Sequence, residues 1–309
     1  MGENFQKFEL RNVIVGETLM NSYITYLHLL TALHTGGSAN EGNLMGIARE
    51  VHTEFPYLPA SSLRGKIRSE LERSHESEAG IFFGQKITGG QQPTEGEVWF
   101  ADATLLFFPI ASLSHHLAWI TCPLWLERWN RWLTNAPLTA LIQQCRESIT
   151  AARPALVTFQ AEKIFLQTAL LAQENFAQLG NTQPLLDAIN PITSNSSIIG
   201  ELKDKLIVLS NEDCVALVDM GLQREVRVAL EENSKTVKGG SFRSEEAIPP
   251  EAVLFFPWGM KPAKEVEKTK NIRQQIPDKL KTRMQFGGLE GLGRGWVDLK
   301  TIETSVKIA

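Results

Sequence analysis

Residues 48–68, AREVHTEFPYLPASSLRGKIR, decide the fold of this chain, because they pass from a polar loop into a helix with one apolar face. Leu63, Ile67 and Leu71 recur every four residues, the spacing that places side chains on one side of a helix. A serine hydroxyl near the start can accept a backbone N–H bond of the first turn. Ser61 or Ser62 is therefore expected to cap this helix.

The segment before this helix reads as a strand that runs into a loop. Residues 23–34 are rich in β-branched and aromatic side chains, and Gly36 and Gly37 end the run. His34 lies at the junction between strand and loop, where a general base or a phosphate-binding group could work, or where a histidine could simply be hydrogen-bonded. The sequence thus predicts a strand, a polar loop over residues 36–59, and a helix.

The rest of the chain alternates between helical and extended patterns, which predicts an α+β protein. The predicted strands are 97–108, as a pair around a turn near Asp102, then 205–209, 224–230 and a last strand from Trp296. The predicted helices are 125–133, 138–149, 212–220 and one within 261–283. Residues 181–195 contain two prolines and several polar residues and are expected to form a boundary or an exposed insertion, and residues 233–246 an exposed loop or hairpin.

Composition narrows the functional class. The chain has 309 residues, 43% of them hydrophobic, and 31 basic against 35 acidic side chains give a formal net charge of -4. This balance argues against a globally basic nucleic-acid-binding protein but allows a local basic groove. Three widely spaced cysteines suit reduced thiols in the cytoplasm, and no apolar stretch is long enough to predict a membrane span.

The glycine cluster GGLEGLGRG, residues 287–295, is the most unusual segment near the C-terminus. It lacks the Lys and Ser or Thr of a Walker A loop, so a nucleoside triphosphate site is not expected. Glycines allow a close approach to another backbone, and Arg294 could then contact a phosphate; a tight turn before an edge strand is the alternative. The sequence also lacks the usual zinc-hydrolase and serine-hydrolase motifs, and no metal-binding site is predicted from it.

Three motifs together resemble the RAMP superfamily of CRISPR-associated proteins: LHTGG from Leu33, the 48–68 stretch, and GGLEGLGRGWV from Gly287. The resemblance is closer to the backbone subunits of type III-B (Cmr) effector complexes. Segments similar to that subfamily begin at Ala101 (ADATLLFFPIASLSHHLAWITCP), Leu206 (LIVLSNEDC) and Lys235 (KTVKGGSFRSEEAIPP), so the resemblance covers the whole chain.

The resemblance implies a single RAMP backbone subunit over 1–309 with an inserted thumb and helical elaborations on a ferredoxin-like, RNA-recognition-like palm. The palm is expected at roughly 10–110 and 200–309, and helical and inserted segments at 111–199. Residues 233–257, and secondarily 181–195, are the thumb candidates. The implied partners are CRISPR RNA, target RNA, neighbouring copies of the same chain and other type III-B subunits, without a membrane.

The resemblance also implies a set of RNA-contacting residues. Cations that touch phosphates read the backbone of a strand rather than its sequence, so scattered Arg and Lys side chains along one groove would suffice. The residues expected to contact RNA are Arg49, His52, Ser61, Ser62, Arg64, Lys66, Arg68, Lys235, Lys238, Arg243, Gly288, Gly293 and Arg294.

In many members of this subfamily an aspartate in the loop after the His-Gly motif supports metal-dependent cleavage of target RNA. Arg49, His52 and Thr53 fit the flanking pattern, but the register places Leu44 at the acid position. Leucine can neither bind a cation nor accept a proton, which predicts a binding scaffold with an impaired cleavage site.

Two alternatives remain open at the level of sequence. Glu41 could replace the missing acid with His34 nearby, giving an active target-RNA endoribonuclease that needs Mg²⁺ or another divalent cation. Alternatively, His34 could act as a general base in a stand-alone nuclease that processes CRISPR precursor RNA without metal. RNA binding alone requires no cofactor in any of these interpretations.

Overall fold

The structure is a computed structural model that describes residues 22–37, 40–41, 44–86, 92, 94–229, 231, 236–237, 242–262 and 266–304. Its α-helices within these ranges are α1 Ala60–Glu72, α2 Glu76–Phe82, α3 Pro123–Leu133, α4 Ala136–Ser148, α5 Gln183–Ile189, α6 Ser196–Asp204, α7 Asn211–Gly221 and α8 Lys270–Lys279. Short 3₁₀ turns span Gln173–Asn175, Val266–Lys268 and Glu290–Leu292.

The strands of the described residues fall into a large sheet, a small sheet and one hairpin. They are β1 Ser22–Leu29, β2 Asn40–Glu41, β3 Leu44–Met45, β4 Tyr57–Leu58, β5 Val98–Phe100, β6 Ala103–Ser112, β7 His116–Thr121, β8 Ala155–Val157, β9 Lys163–Leu166, β10 Ala169–Ala172, β11 Phe176–Gln178, β12 Leu206–Leu209, β13 Gln223–Arg227, β14 Arg243–Ala247, β15 Val253–Met260, β16 Met284–Gln285 and β17 Trp296–Glu303.

The centre of the large sheet is a ferredoxin-like core. Strand β1 lies between β15 and β17 and is antiparallel to both, and β6 pairs with the other side of β15. Along the chain these strands and two helices occur in the order β1, α1, β6, β15, α8, β17, which is the β-α-β-β-α-β pattern of ferredoxin-like proteins. The predicted α+β palm is therefore confirmed.

Both faces of this sheet are buried, which explains why β1 reads as a nearly continuous apolar run. Leu27 of β1 packs on one face with the apolar sides of α1 and α8. Tyr26 of β1 packs on the other face beneath α3, α4 and α5. RNA-recognition domains stack bases on an open sheet face, so this covered sheet requires RNA to bind elsewhere.

The helical elaborations extend the sheet beyond the palm. Strand β7 continues the sheet from β6, followed by β12, β8 and β11. Helices α3 and α4 agree with the predicted helices at 125–133 and 138–149. Residues 181–195 are not the exposed insertion that was predicted, because α5 buries Leu185 and Ile189 in the second core and Ile192 follows them. The apolar residues between the prolines explain this difference.

Two local predictions around α1 are wrong in an instructive way. Strands β5 and β6 do not pair with each other; both pair with β15, one after the other along the same edge. The turn residue Asp102 between them instead accepts the backbone N–H of Ala60 at 2.7 Å, so it satisfies the start of α1. The N-cap position is Pro59, and neither Ser61 nor Ser62 caps the helix.

A small four-stranded sheet stands beside the palm, in the order β13-β14-β3-β2. Strand β14 is antiparallel to β13 and parallel to β3. Leu33 forms an isolated bridge with Ile248, just after β14, and so links this sheet to the end of the palm strand. Among the described helices, none has the length and apolar character needed to cross a membrane.

The thumb candidates are only partly described. Within 233–257 the structure gives β14 and the first residues of β15, and β15 is a buried palm strand. Lys235 and Lys238, and the palm ends predicted at 10–21 and 305–309, lie outside the described residues. The limits of a thumb stay a prediction.

Candidate nucleic-acid interface

A cleft of about 670 Å³ opens where the small sheet, the start of α1 and the loop after His34 meet. We call this loop, residues 35–37, the His-Gly loop. It is half open to solvent, as a groove for an extended ligand would be. Its lining residues are Gly36, Gly37, Leu44, Gly46, Ile47, Ala48, Arg49, Glu54, Tyr57, Pro59, Arg224 and Glu246. The strand, loop and helix predicted from sequence therefore build one side of a groove.

The His-Gly loop is held closely against the segment that carries Arg49. Gly36 has φ 71°, a conformation that favours glycine. A Cβ atom on Gly37 would lie 3.0 Å from the carbonyl oxygens of Gly46 and Ile47. The Thr35 hydroxyl accepts the backbone N–H of Ala48 at 2.9 Å. Glycine is thus required here for a tight wall, which fixes the shape of the cleft.

His34 is a buried part of this wall. Its side chain is 5% exposed, and its Nδ1–H donates to the carbonyl oxygen of Glu246 at 2.8 Å. The backbone N–H of Gly288 donates to the His34 carbonyl at 2.8 Å. These contacts support the strand-end interpretation of His34 rather than a general base that reaches a substrate.

The C-terminal glycine loop makes the close backbone approach that its composition predicts. Gly287 has φ 80°, and a Cβ atom there would clash with the carbonyl oxygen of His34. Gly295 also has a positive φ, of 78°, and a Cβ atom on it would meet the backbone of Phe286. Gly293 is exposed with open space around it. The loop therefore closes over the end of the first palm strand.

Arg49 and Arg224 meet in the cleft around two carboxylates, and we call these four residues the cleft cluster. Glu246 Oε1 accepts from Arg49 Nη2 at 3.0 Å and from Arg224 Nη2 at 3.0 Å. Asp219 Oδ1, from the end of α7, accepts from the same two groups at 3.0 and 3.1 Å. Burial acts to lower the pKa of Arg224, but the bonds and charges of Glu246 and Asp219 outweigh it and raise the pKa.

Arg294 and Arg227 form a second group with Glu245 and Glu225, which we call the glycine-loop cluster. Glu245 Oε1 accepts from Arg294 Nη2 at 2.6 Å and from Arg227 Nη2 at 3.0 Å. Glu225 Oε2 lies 2.7 Å from Arg294 Nη2 and 3.2 Å from Arg227 Nη2. Burial raises the pKa of Glu245, but the two arginines outweigh it and hold that pKa below its ordinary value.

Other cations expected to contact RNA serve the fold in this structure. Arg64 donates to the backbone carbonyls of Val98, at 3.0 Å, and of Phe83, and its guanidinium lies over the Phe83 ring. Burial, together with the nearby Arg68 charge, lowers the pKa of Arg64. Arg68 donates to the carbonyl of Gly84 at 2.9 Å. The structure does not bring these two arginines into the cleft.

The remaining predicted contacts that the structure describes are not among the residues that line the cleft. Lys66 lies between Glu70 and Glu290 at 3.4 and 3.5 Å. His52 is exposed at the tip of a turn, and Arg243 is exposed at the start of β14. Ser61 is exposed and Ser62 is partly exposed on the first turn of α1.

Leu44 lines the cleft from β3, so the position assigned to the missing acid does face the groove. Glu41 is its cross-strand partner in the backbone register. Within the described residues, no three His, Cys, Asp or Glu side chains gather in a way that could hold a metal ion. The two carboxylates of the cleft cluster are already engaged by arginines.

Sequence reasoning missed Arg224, Asp219 and Tyr57 as cleft residues. Arg224 was assigned only to a strand, and Asp219 only to a helix. A signal was present in QREVR, where two arginines flank an acid in an alternating strand. The pairing partners of that strand were needed to place Arg224 beside Arg49.

The ferredoxin-like palm, the His-Gly loop and the glycine loop packed on it define a class of protein. The RAMP superfamily model matches residues 26–298, and the chain belongs to that superfamily.

Particular relatives are more specific. The chain is 26% identical over 292 residues to the "CRISPR system Cmr endoribonuclease Cmr4" of Pyrococcus furiosus, covering 93% of this chain and 97% of the relative. It is 25% identical over 300 residues to the "CRISPR system CMR subunit Cmr4" of Saccharolobus solfataricus, covering 90% of this chain and 93% of that relative.

Solved structures share the fold. Oligomeric Cmr4 from Pyrococcus furiosus superposes with a TM-score of 0.67 at 22% identity, over 92% of this chain and 99% of that one. A chain of a type III-B Cmr-beta complex bound to cognate target RNA gives a TM-score of 0.67 at 20% identity, over 91% and 96% of the two chains.

Proposed function

We propose that this chain is a CRISPR RNA-binding backbone subunit of a type III-B effector complex. In this proposal it oligomerises along the guide and holds the guide–target RNA duplex in antiviral defence. The observation that carries the proposal is the cleft in which the His-Gly loop, the start of α1 and two arginines converge. Two relatives named Cmr4 support it, and their matches cover 93% and 90% of this chain.

The geometry of the cleft suits an extended ribose-phosphate strand. Guanidinium groups recognise phosphate oxygens without regard to sequence, as a guide-binding subunit requires. Gly37 packs closely against the backbone of Gly46 and Ile47 and so shapes one wall of the cleft, while the palm sheet is covered and leaves no face for base stacking. Binding through phosphates requires no cofactor. We expect the chain to work in the cytoplasm, and its three buried free thiols are consistent with a reducing compartment.

We further propose that target-RNA cleavage by this subunit is impaired. Leu44 lines the cleft where the resemblance expects an acid, and leucine supplies neither a metal ligand nor a proton acceptor. If cleavage is retained, it requires Mg²⁺ or another divalent cation. The second candidate is an active endoribonuclease. It is favoured by the endoribonuclease name of the Pyrococcus relative and by the register that places Glu41 opposite Leu44.

Binding and cleavage can be tested separately. Purified chain is expected to bind single-stranded RNA in a salt-sensitive manner and to form longer oligomers on longer RNA. Chain that ignores RNA of every length at low ionic strength would contradict the proposal.

Cleavage is tested in the complex assembled on guide RNA with its partner subunits, matched target RNA and magnesium. We expect no regularly spaced products from wild type and a gain of such products from Leu44→Asp. Wild-type products that disappear on Glu41→Ala would instead establish the active endoribonuclease. Leu44→Asn is the matched control, since an amide at the same position cannot act as a base.

The stand-alone processing nuclease has less support. It requires His34 as an accessible general base, but that ring is 5% exposed and donates through Nδ1 to a backbone carbonyl. Cleavage of precursor RNA hairpins by the isolated chain without metal would revive this candidate.

A further inference from the structure

We propose that Arg49 and Arg224 form a binding site for one phosphodiester group of RNA, and that Asp219 occupies this site in the RNA-free chain and is displaced when RNA binds. The inference rests on the proposed RNA-binding function and identifies which groups of the cleft take the strand. In the RNA-free chain the Asp219 carboxylate takes the place of the phosphate.

The two guanidiniums converge on a single oxygen of Asp219. Its Oδ1 lies 3.0 Å from Arg49 Nη2 and 3.1 Å from Arg224 Nη2. A non-bridging phosphate oxygen carries negative charge and accepts charge-assisted hydrogen bonds from guanidinium in the same way as a carboxylate oxygen. The position of this oxygen therefore marks where a phosphate oxygen would be bound by both arginines.

The two carboxylates of the cleft cluster differ in how permanently they are held. The Glu246 side chain is 4% exposed and accepts from both arginines, so removing it from them would leave a buried charge unpaired. The Asp219 side chain is 52% exposed, and ion pairs at exposed positions contribute little to stability. Glu246 thus fixes the arginines in place, while Asp219 can leave at small cost.

The net charge of the cleft cluster is consistent with replacement of Asp219 by a phosphate group. Two arginines face two carboxylates in the RNA-free chain, so the site is formally neutral and attracts anions weakly. When a phosphate replaces Asp219, the arginines remain neutralised and Asp219 turns into solvent from the last turn of α7. The site therefore prefers a ligand that brings many phosphates at once and gains affinity elsewhere along the strand, over an isolated small anion.

The decisive variant is Asp219→Asn, which keeps the shape of the side chain and removes its charge. We expect it to bind single-stranded RNA about threefold to tenfold more tightly than wild type at low salt, since two weak, exposed ion pairs no longer compete. The matched control is Asp298→Asn. Asp298 also holds an exposed arginine, Arg283, at 2.8 Å, but neither residue lines the cleft. The two variants change the net charge equally.

The salt dependence gives a second readout. In wild type, the displaced Asp219 takes up a counterion and offsets one of those that RNA releases. Asp219→Asn removes this uptake, so a plot of log affinity against log salt becomes steeper, whereas Asp298→Asn leaves the slope unchanged.

A double-variant cycle ties the effect to the arginines. The cycle uses an Arg224→Gln background whose folding is checked by its thermal transition. In this background we expect Asp219→Asn to change the RNA affinity by no more than about twofold. Equal gains from Asp219→Asn and Asp298→Asn, or an Asp219→Asn affinity and slope equal to wild type, would overturn the phosphate site. Wild type that binds no RNA at all would overturn the proposed function, and this site with it.

Discussion

The cleft cluster and the glycine-loop cluster are built on adjacent residues of one strand, and each joins two arginines to two carboxylates, yet they suit different tasks. Glu246 and Glu245 of β14 are both buried, and each accepts from two arginines. In each cluster an outer carboxylate, Asp219 or Glu225, contacts the same two arginines. Because neighbouring residues of a strand face opposite sides, one sequence pattern produces two similar charge clusters on opposite faces of β14.

Position relative to the cleft separates the two clusters. Arg49 and Arg224, whose side chains are 24% and 45% exposed, both line the cleft. Arg294 is 11% exposed under the glycine loop, and Arg227, although 42% exposed, is not among the residues that line the cleft. A phosphate group in the cleft can therefore contact both arginines of the first cluster, whereas those of the second lie outside the cleft lining. The comparison teaches that an arginine on a glycine-rich loop is a poor guide to phosphate binding until its own carboxylates are known.

The largest expected effect is on stability, and it should fall on the glycine-loop cluster. Arg294→Met removes a buried partner of Glu245 and is expected to lower the free energy of unfolding by about 3 kcal/mol, since breaking a buried ion pair leaves an under-compensated charge. Arg224→Met, its matched counterpart in the cleft, is expected to cost about 1 kcal/mol. Denaturant unfolding of both variants measures the difference. Equal losses of unfolding free energy would mean that the greater burial of Arg294 does not make it more important for stability than Arg224.

Much of the fold could be predicted from sequence because it depends on local periodicity. The spacing of Leu63, Ile67 and Leu71 correctly predicts α1, and all three are buried. The β-branched run after residue 22 correctly predicts the central strand. The pairing of β5 and β6 with β15 depends on partners 146 to 162 residues away, and a local pattern carries no information about them.

The site was harder to predict because charge pairing is a property of the tertiary structure. Arg49 lines the cleft together with Gly36 and Gly37, and its contact with RNA stays a prediction. Arg64 and Arg294 had the same basic signature in sequence, but their guanidiniums are engaged by backbone carbonyls and by Glu245. Arg224 was missed because its role depends on Arg49, 175 positions earlier, and on Asp219.

A smaller loss of stability is expected from Arg64, the other predicted RNA contact that the structure assigns to the fold. Arg64→Met removes charged hydrogen bonds to the carbonyls of Val98 and Phe83 and is expected to cost about 2 kcal/mol in the free energy of unfolding. Where the variant is folded, its RNA affinity and the salt slope should equal those of wild type. A salt slope reduced by close to one phosphate contact would contradict this and return Arg64 to the interface.

Acid pH is expected to act on the glycine-loop cluster through Glu245. Its pKa in the folded chain lies below the ordinary value of 4.5, because hydrogen bonds from Arg227 and Arg294 outweigh the effect of burial. The stabilisation is therefore complete above the pKa that Glu245 has in the unfolded chain, and it is lost as the pH falls through the lower pKa that Glu245 has in the folded chain.

The measurement is the free energy of unfolding from neutral pH downward, for wild type and for Glu245→Gln. We expect the wild type to lose more stability than the variant in the acid range, and the two curves to run parallel at neutral pH and above. Curves that stay parallel throughout the acid range would mean that Glu245 contributes nothing to the acid sensitivity.

The smallest expected effect concerns RNA and is the sharpest test of the comparison. Glu225→Gln removes the outer carboxylate of the glycine-loop cluster, as Asp219→Asn does in the cleft, and both variants change the net charge equally. After the change Arg294 remains covered, and Arg294 and Arg227 both remain bound to Glu245 outside the cleft lining, so no new phosphate site opens in the cleft. We therefore expect the RNA affinity of Glu225→Gln to stay within about twofold of wild type. Filter binding or fluorescence anisotropy with the same RNA checks this result. A gain as large as that of Asp219→Asn would mean that overall charge, rather than the placement of two guanidiniums that line a cleft, governs how this chain holds RNA.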